Sequence, residues 1–117
     1  MTPTASPGPL RRSPGLASEA IQIASRLRLC LSPEAVYLFG SHARGDATFD
    51  SDFDFLVVVS DSSASRFERN VAARGLVSDI RVPKDVLVLT RREWDADLEV
   101  PCSLARTVLR EGIKLHG

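Results

Sequence analysis

The sequence predicts a small α/β (α+β) domain: a mixed β-sheet backed by helices on one face. Three observations carry that prediction. Short apolar, β-branched runs alternate with amphipathic stretches. The chain has 117 residues, and the roughly 100 that are fit to fold match one two-layer domain. Cysteine and histidine are too few to replace a core: Cys30 and Cys102 form no CxxC pair, and only His42 and His116 are present. A disulfide framework and a zinc site are therefore disfavoured, and each cysteine is expected as a small buried hydrophobe. Lys+Arg and Asp+Glu both number 15, so the basic excess of an electrostatic nucleic-acid binder is missing and nucleic acid is not expected as a direct ligand. No run approaches the ~20 apolar residues of a membrane helix. The N-terminus lacks a signal-peptide core, which points to the cytoplasm.

Taken in order, residues 1–15 hold Pro3, Pro7, Pro9 and Pro14 with Gly8 and Gly15; prolines remove backbone donors, and a disordered tail is expected. The folded domain is then residues 16–117. From Leu16 to Leu31, Ala20, Ala24, Leu27 and Leu31 recur at helical spacing, with Ile23 and Cys30 widening the stripe. Pro33 stops that helix, because the residue before a proline avoids the α region. Ala35–Phe39 (AVYLF) reads as a strand ending at Gly40, and a short helix is expected to follow. Asp52–Ser60 (DFDFLVVVS) is a second strand. Ser62–Ile80 predicts a helix with Phe67, Val71, Leu76 and Ile80 on its buried side, and Lys84–Thr90 (KDVLVLT) a third strand. Leu98–Glu111 predicts one helix with Pro101 near its start, ended by Gly112, and Ile113–His116 a last short strand.

The chemistry is concentrated in LFGSHARGDATFDSDFDFLVVV, residues 38–59. Asp52 and Asp54 sit two apart on a strand, so both carboxylates project from one face while Phe53 and Phe55 point to the other. Adjacent carboxylates repel unless something neutralises them, and a hard divalent cation such as Mg²⁺ does so. Gly40-Ser41 follows a strand and opens a helix: glycine permits close backbone approach, free N–H groups face an anion, and the Ser41 hydroxyl can donate to a phosphate oxygen. Asp85 begins the next strand and offers a third carboxylate. Three carboxylates can hold two metal ions roughly 4 Å apart, the clamp for in-line nucleotidyl displacement.

Gly-Ser, ten residues, then Asp-x-Asp resembles the signature of the nucleotidyltransferase fold typified by DNA polymerase beta. The fuller string, Asp85 within KDVLVLT and the closing REGIKLHG are similar to the minimal nucleotidyltransferase (MNT) domains of prokaryotes, over nearly the whole chain from Leu16. That resemblance implies that Gly40 and Ser41 hold the triphosphate of ATP. It implies that Asp52 and Asp54 ligate two Mg²⁺ ions, and that Asp85 completes the metal site and assists deprotonation of the acceptor. Arg44 matches the arginine of the family's ARG segment and is expected to brace the loop, with phosphate contact as its second reading. His42 falls at a variable position and is expected to face solvent. Asp46 and Asp50 are expected as loop formers, Trp94 as a packing or interface residue, and Arg66, Arg69, Arg74 and Arg81 as a solvated face.

The sequence shows no appended substrate domain, so the acceptor is expected from a partner chain. In the family it resembles, such domains act as antitoxins that add AMP to a HEPN-type ribonuclease toxin. That role leads. The alternatives are a non-catalytic module that masks its partner, and a small-molecule nucleotidyltransferase.

Overall fold

The computed structural model describes residues 17–117. The expected N-terminal tail lies outside the described residues. Nine elements follow in order: α1 (Ser18–Leu31), β1 (Ala35–Phe39), α2 (Ser41–Arg44), β2 (Phe53–Val59), α3 (Arg66–Leu76), β3 (Lys84–Thr90), α4 (Arg91–Leu98), α5 (Leu104–Glu111) and β4 (Ile113–His116). The strands form one sheet in the order β3-β2-β1-β4. β1 runs antiparallel to both β2 and β4, and the α3 crossover makes β2 and β3 parallel. The mixed sheet of the prediction is present, and no described helix is long and apolar enough to cross a membrane.

Strand alternation divides the core in two. Phe53, Phe55 and Val57 of β2, with Val86 and Val88 of β3, pack against Ile23, Ala24 and Leu27 of α1 and Ala73 of α3. Leu56, Val58, Leu89 and Tyr37 point the other way and are covered by Trp94 of α4 and Ala105 and Val108 of α5. Helices therefore cover both faces of the sheet, not one. The expectation failed because α4 was not recognised. Its start is a capping box in which Glu93 N–H donates to Thr90 Oγ1 at 3.2 Å and Thr90 N–H donates to Glu93 Oε1 at 2.9 Å, so the helix begins as β3 ends. Likewise the single helix expected over 98–111 is split. Pro101 lies in the turn between α4 and α5, Cys102 adopts φ 61°, and Ser103 caps α5 by accepting from Arg106 N–H.

α3 also turns a different face inward. Phe67 and Val71, expected inside, are exposed, whereas Arg69 is buried. Its guanidinium donates to the carbonyls of Val88 and Ala64 and pairs with Glu93, while Asn70 Oδ1 accepts from Val88 N–H at 2.8 Å. β3 is an edge strand, and its outward backbone groups need partners. Hydrogen bonding along that edge outweighs the apolar pattern. Both cysteines are exposed rather than buried: Cys30 lies beside exposed Leu29 on the outer side of α1, and Cys102 sits in the α4–α5 turn.

Candidate functional site

β1 ends at Phe39, and the chain turns into α2 through Gly40 at φ 78°, ψ −157°. That combination is essentially confined to glycine. A Cβ there would also lie 2.5 Å from Asp54 Oδ2. Gly40 therefore lets the turn close onto the Asp54 carboxylate. Gly40 is the N-cap and has no side chain to cap the opening N–H groups of α2, of which Ala43 N–H donates to the Gly40 carbonyl at 3.1 Å. Ser41 is the first helical residue, not the cap. Its carbonyl accepts from Gly45 and Asp46 N–H at 3.0 and 3.1 Å, which fixes the start of the following loop.

Asp54 pairs in register with Phe39 on one side and with Asp85 on the other, so the turn, Asp54 and Asp85 occupy one end of three adjacent strands. Asp52 immediately precedes β2 and is exposed. Burial pushes the Asp54 carboxyl above the usual aspartate range, and the charges of Asp52 and Asp85 push it further, against weaker opposing effects of His42 and Arg44. Asp85 is held differently: its Oδ1 accepts from Arg74 at 3.2 Å and from Val86 N–H at 3.0 Å. Among the described residues, no three His, Cys, Asp or Glu side chains converge closely enough to enclose an ion. The donor set nonetheless fits a hard divalent cation. It consists of carboxylate oxygens, and Asp54 carries a like-charge repulsion that such a cation relieves.

Arg44 pairs with Asp46 at 3.3 Å and with Glu111 at 3.8 Å, joining α2 to its own loop and to the end of α5. His42 departs from expectation. It is half-buried, its ring lies on Phe53 with centroids 3.7 Å apart and planes 15° apart, and its Nε2 is 3.1 Å from the Ser51 carbonyl. Trp94 is buried and stacks on Tyr37 at 5.3 Å, so it packs the sheet and is not offered to a base. Of the arginines expected as a solvated face, Arg69 is interior and Arg74 reaches the site; Arg66 and Arg81 are exposed. Phe49 stands fully exposed in the loop beside the site. A cleft of about 370 Å³ lined by Leu87, Leu89, Val100 and Leu104 lies on the α4–α5 side, with Leu87 two residues along β3 from Asp85.

The profile of the nucleotidyltransferase domain family matches residues 18–115. The chain belongs to that family. None of the curated proteins matches it in sequence. Among solved structures, this nucleotidyltransferase domain is similar to a Sulfolobus solfataricus protein assigned as a nucleotidyltransferase. The two are 27% identical with a TM-score of 0.56, over 85% of this chain and 78% of that one. It is also similar to a protein described as a minimal nucleotidyltransferase, at 29% identity and TM-score 0.50, over 84% and 93% of the two chains. A third similarity, at 25% identity and TM-score 0.52 over 84% and 72%, is to a variant of the toxin–antitoxin pair MntA-HpeT. The resemblance to minimal nucleotidyltransferases read from the sequence holds.

Proposed function

We propose that this domain transfers AMP from ATP to a hydroxyl of a partner protein, and that it serves as the antitoxin of a HEPN-type toxin. The observation that carries the transferase chemistry is the shared strand end: Gly40 opens directly onto Asp54, and Asp54 stands in register with Asp85. The toxin partner is supported by similarity to a chain of a toxin–antitoxin pair.

On this reading, the Gly40 turn admits the triphosphate against the backbone, and the Ser41 hydroxyl donates to a phosphate oxygen. Asp52 and Asp54 would hold Mg²⁺, with Asp85 completing a two-ion site once it leaves Arg74. Bound Mg²⁺ supplies charge neutralisation at the phosphates and acidifies the attacking hydroxyl. Asp85 takes the hydroxyl proton, the acceptor oxygen bonds to the α-phosphorus, and the bond to the β-phosphate breaks to release pyrophosphate. Docking of the partner supplies the orientation of the hydroxyl.

One observation favours a second reading, in which the domain silences its partner by covering it: Asp85 is engaged by Arg74 and the carboxylates do not converge. Mass spectrometry separates the two. The product of the neighbouring gene, purified after co-expression, is expected to carry adenylate on a hydroxyl side chain. Co-expression with the Asp52→Asn/Asp54→Asn variant is expected to leave it unmodified. A partner that is unmodified by the wild type, yet silent in a stoichiometric complex, supports masking.

A further inference from the structure

We propose that His42 is a positioning residue that holds the Gly40–Ser41 turn in register with the carboxylates of β2. The inference rests on reading those two groups as halves of one nucleotide site. α2 has only four residues and none of them is fully buried; Ala43 alone of its apolar side chains rests against the core. The chain then runs through a largely exposed loop before reaching Asp52. Within that loop, Ser51 N–H donates to the Thr48 carbonyl at 3.1 Å, and Thr48 N–H donates to Ser51 Oγ at 2.9 Å. These bonds shape the far end of the loop without reaching α2. Arg44 of α2 does pair with Asp46 and, at 3.8 Å, with Glu111 of α5, but Arg44 is about half-exposed and such pairs contribute little.

His42 spans the gap. Its Nε2–H donates to the carbonyl of Ser51, and its ring stacks on Phe53. Those two residues flank Asp52 on either side. Phe53 is itself buried in the core beneath α1 and α3, so the ring rests on a fixed platform. At its other end His42 follows Ser41 directly in α2. The β1–β2 register brings Gly40 beside Asp54, and His42 adds a side-chain tie between the residue after Ser41 and the two residues that flank Asp52. Catalysis by alignment is sensitive to such spacing, because a displacement of about 1 Å can cost ~100-fold in rate.

Three variants test this: His42→Ala removes both contacts, His42→Phe keeps the stack, and His42→Gln keeps a donor for the Ser51 carbonyl. Two readouts are needed. The first is amide hydrogen exchange of the free chain, which does not depend on its being an enzyme. In His42→Ala, exchange at residues 43–46 and 51 is expected to quicken by about tenfold, from loss of one stacked pair and one hydrogen bond, with β1 and β3 unchanged. The second is transfer of label from α-labelled ATP, in the presence of Mg²⁺, to the co-purified product of the neighbouring gene. There kcat is expected to fall by about tenfold or more while the KM for ATP stays within about threefold, and His42→Phe is expected to recover most of the loss. Exchange in His42→Ala equal to wild type overturns the clamp. Faster exchange with an unchanged kcat overturns the positioning role, as does a rise in KM alone, which would mean direct contact with nucleotide. A wild-type chain that transfers no label overturns the transferase reading instead, and the exchange readout still decides the clamp.

Discussion

A methyl group added at Gly40 would sit 2.5 Å from Asp54 Oδ2, on a backbone at φ 78° and ψ −157°. That conformation alone costs a non-glycine residue about 1–3 kcal/mol, and the contact forces the carboxylate aside. Gly40→Ala is therefore expected to lower stability by at least that much in urea unfolding, and to reduce transfer beyond what the stability loss explains. Asp54 should behave in the opposite sense. Burial first, then Asp52 and Asp85, raises its folded-state pKa. Its contribution to stability is thus fully present below the unfolded-state pKa and is lost as pH rises through the raised value. Without metal, Asp54→Asn is expected to melt at higher temperature than wild type at neutral pH. The difference should shrink as pH falls and vanish only well below the unfolded-state value of ~3.9, where the wild-type carboxyl is protonated in both states. Gly40, Asp52, Asp54 and Asp85 were legible because alternation and strand ends are local properties. His42 and Arg74 were not: their partners lie nine and eleven positions away, and nothing in the local pattern names them.

The same limit operates on whole elements. Strands β1, β2, β3 and β4 were legible to within a residue, because short β-branched runs bounded by turn residues have few competing readings. The helix over residues 66–76 was foreseen, and Leu76 at its end and Ile80 beyond it do meet the core as expected, but the inward face of its first two turns was not. Apolar periodicity favoured Phe67 and Val71, whereas the fold buries Arg69 to satisfy the edge of β3. Sequence patterns do not reveal which backbone groups an edge strand will leave unpaired. Arg69 donates to two carbonyls and pairs with Glu93, so Arg69→Met is expected to destabilise by about 2–4 kcal/mol in urea unfolding. Burial raises the Glu93 carboxyl, but hydrogen bonds from Arg69 and Thr90 N–H and the charges of Arg69 and Arg66 together hold it below its ordinary value. Stability from this group is present above the unfolded-state pKa and lost as pH falls through the lowered one. The Arg69→Met penalty should accordingly shrink on acidification because the wild type loses this contribution there, whereas the wild-type contribution of Asp54 is lost as pH rises.

Across the molecule, the two-sided core explains where a site can form. α1 and α3 cover one face of the sheet along β2, while α4 and α5 cover the other. Asp54 and Asp85 share the α4–α5 face with Leu56, Leu87 and Leu89 by strand alternation. They lie at the strand end where the α2 turn arrives. The parallel pairing of β2 and β3 sets Asp54 opposite Asp85, and the antiparallel pairing of β1 sets the end of that strand, and hence Gly40, beside Asp54. Topology therefore brings to one end of the sheet, from three separate segments, the groups that the proposed reaction needs. The most direct test is a transfer assay with α-labelled ATP, using the domain co-purified with the product of its neighbouring gene. The account predicts label on a hydroxyl of the partner with release of pyrophosphate, abolished by EDTA and by Asp52→Asn/Asp54→Asn. No label with wild type and Mg²⁺, or label undiminished in the double variant, would contradict it.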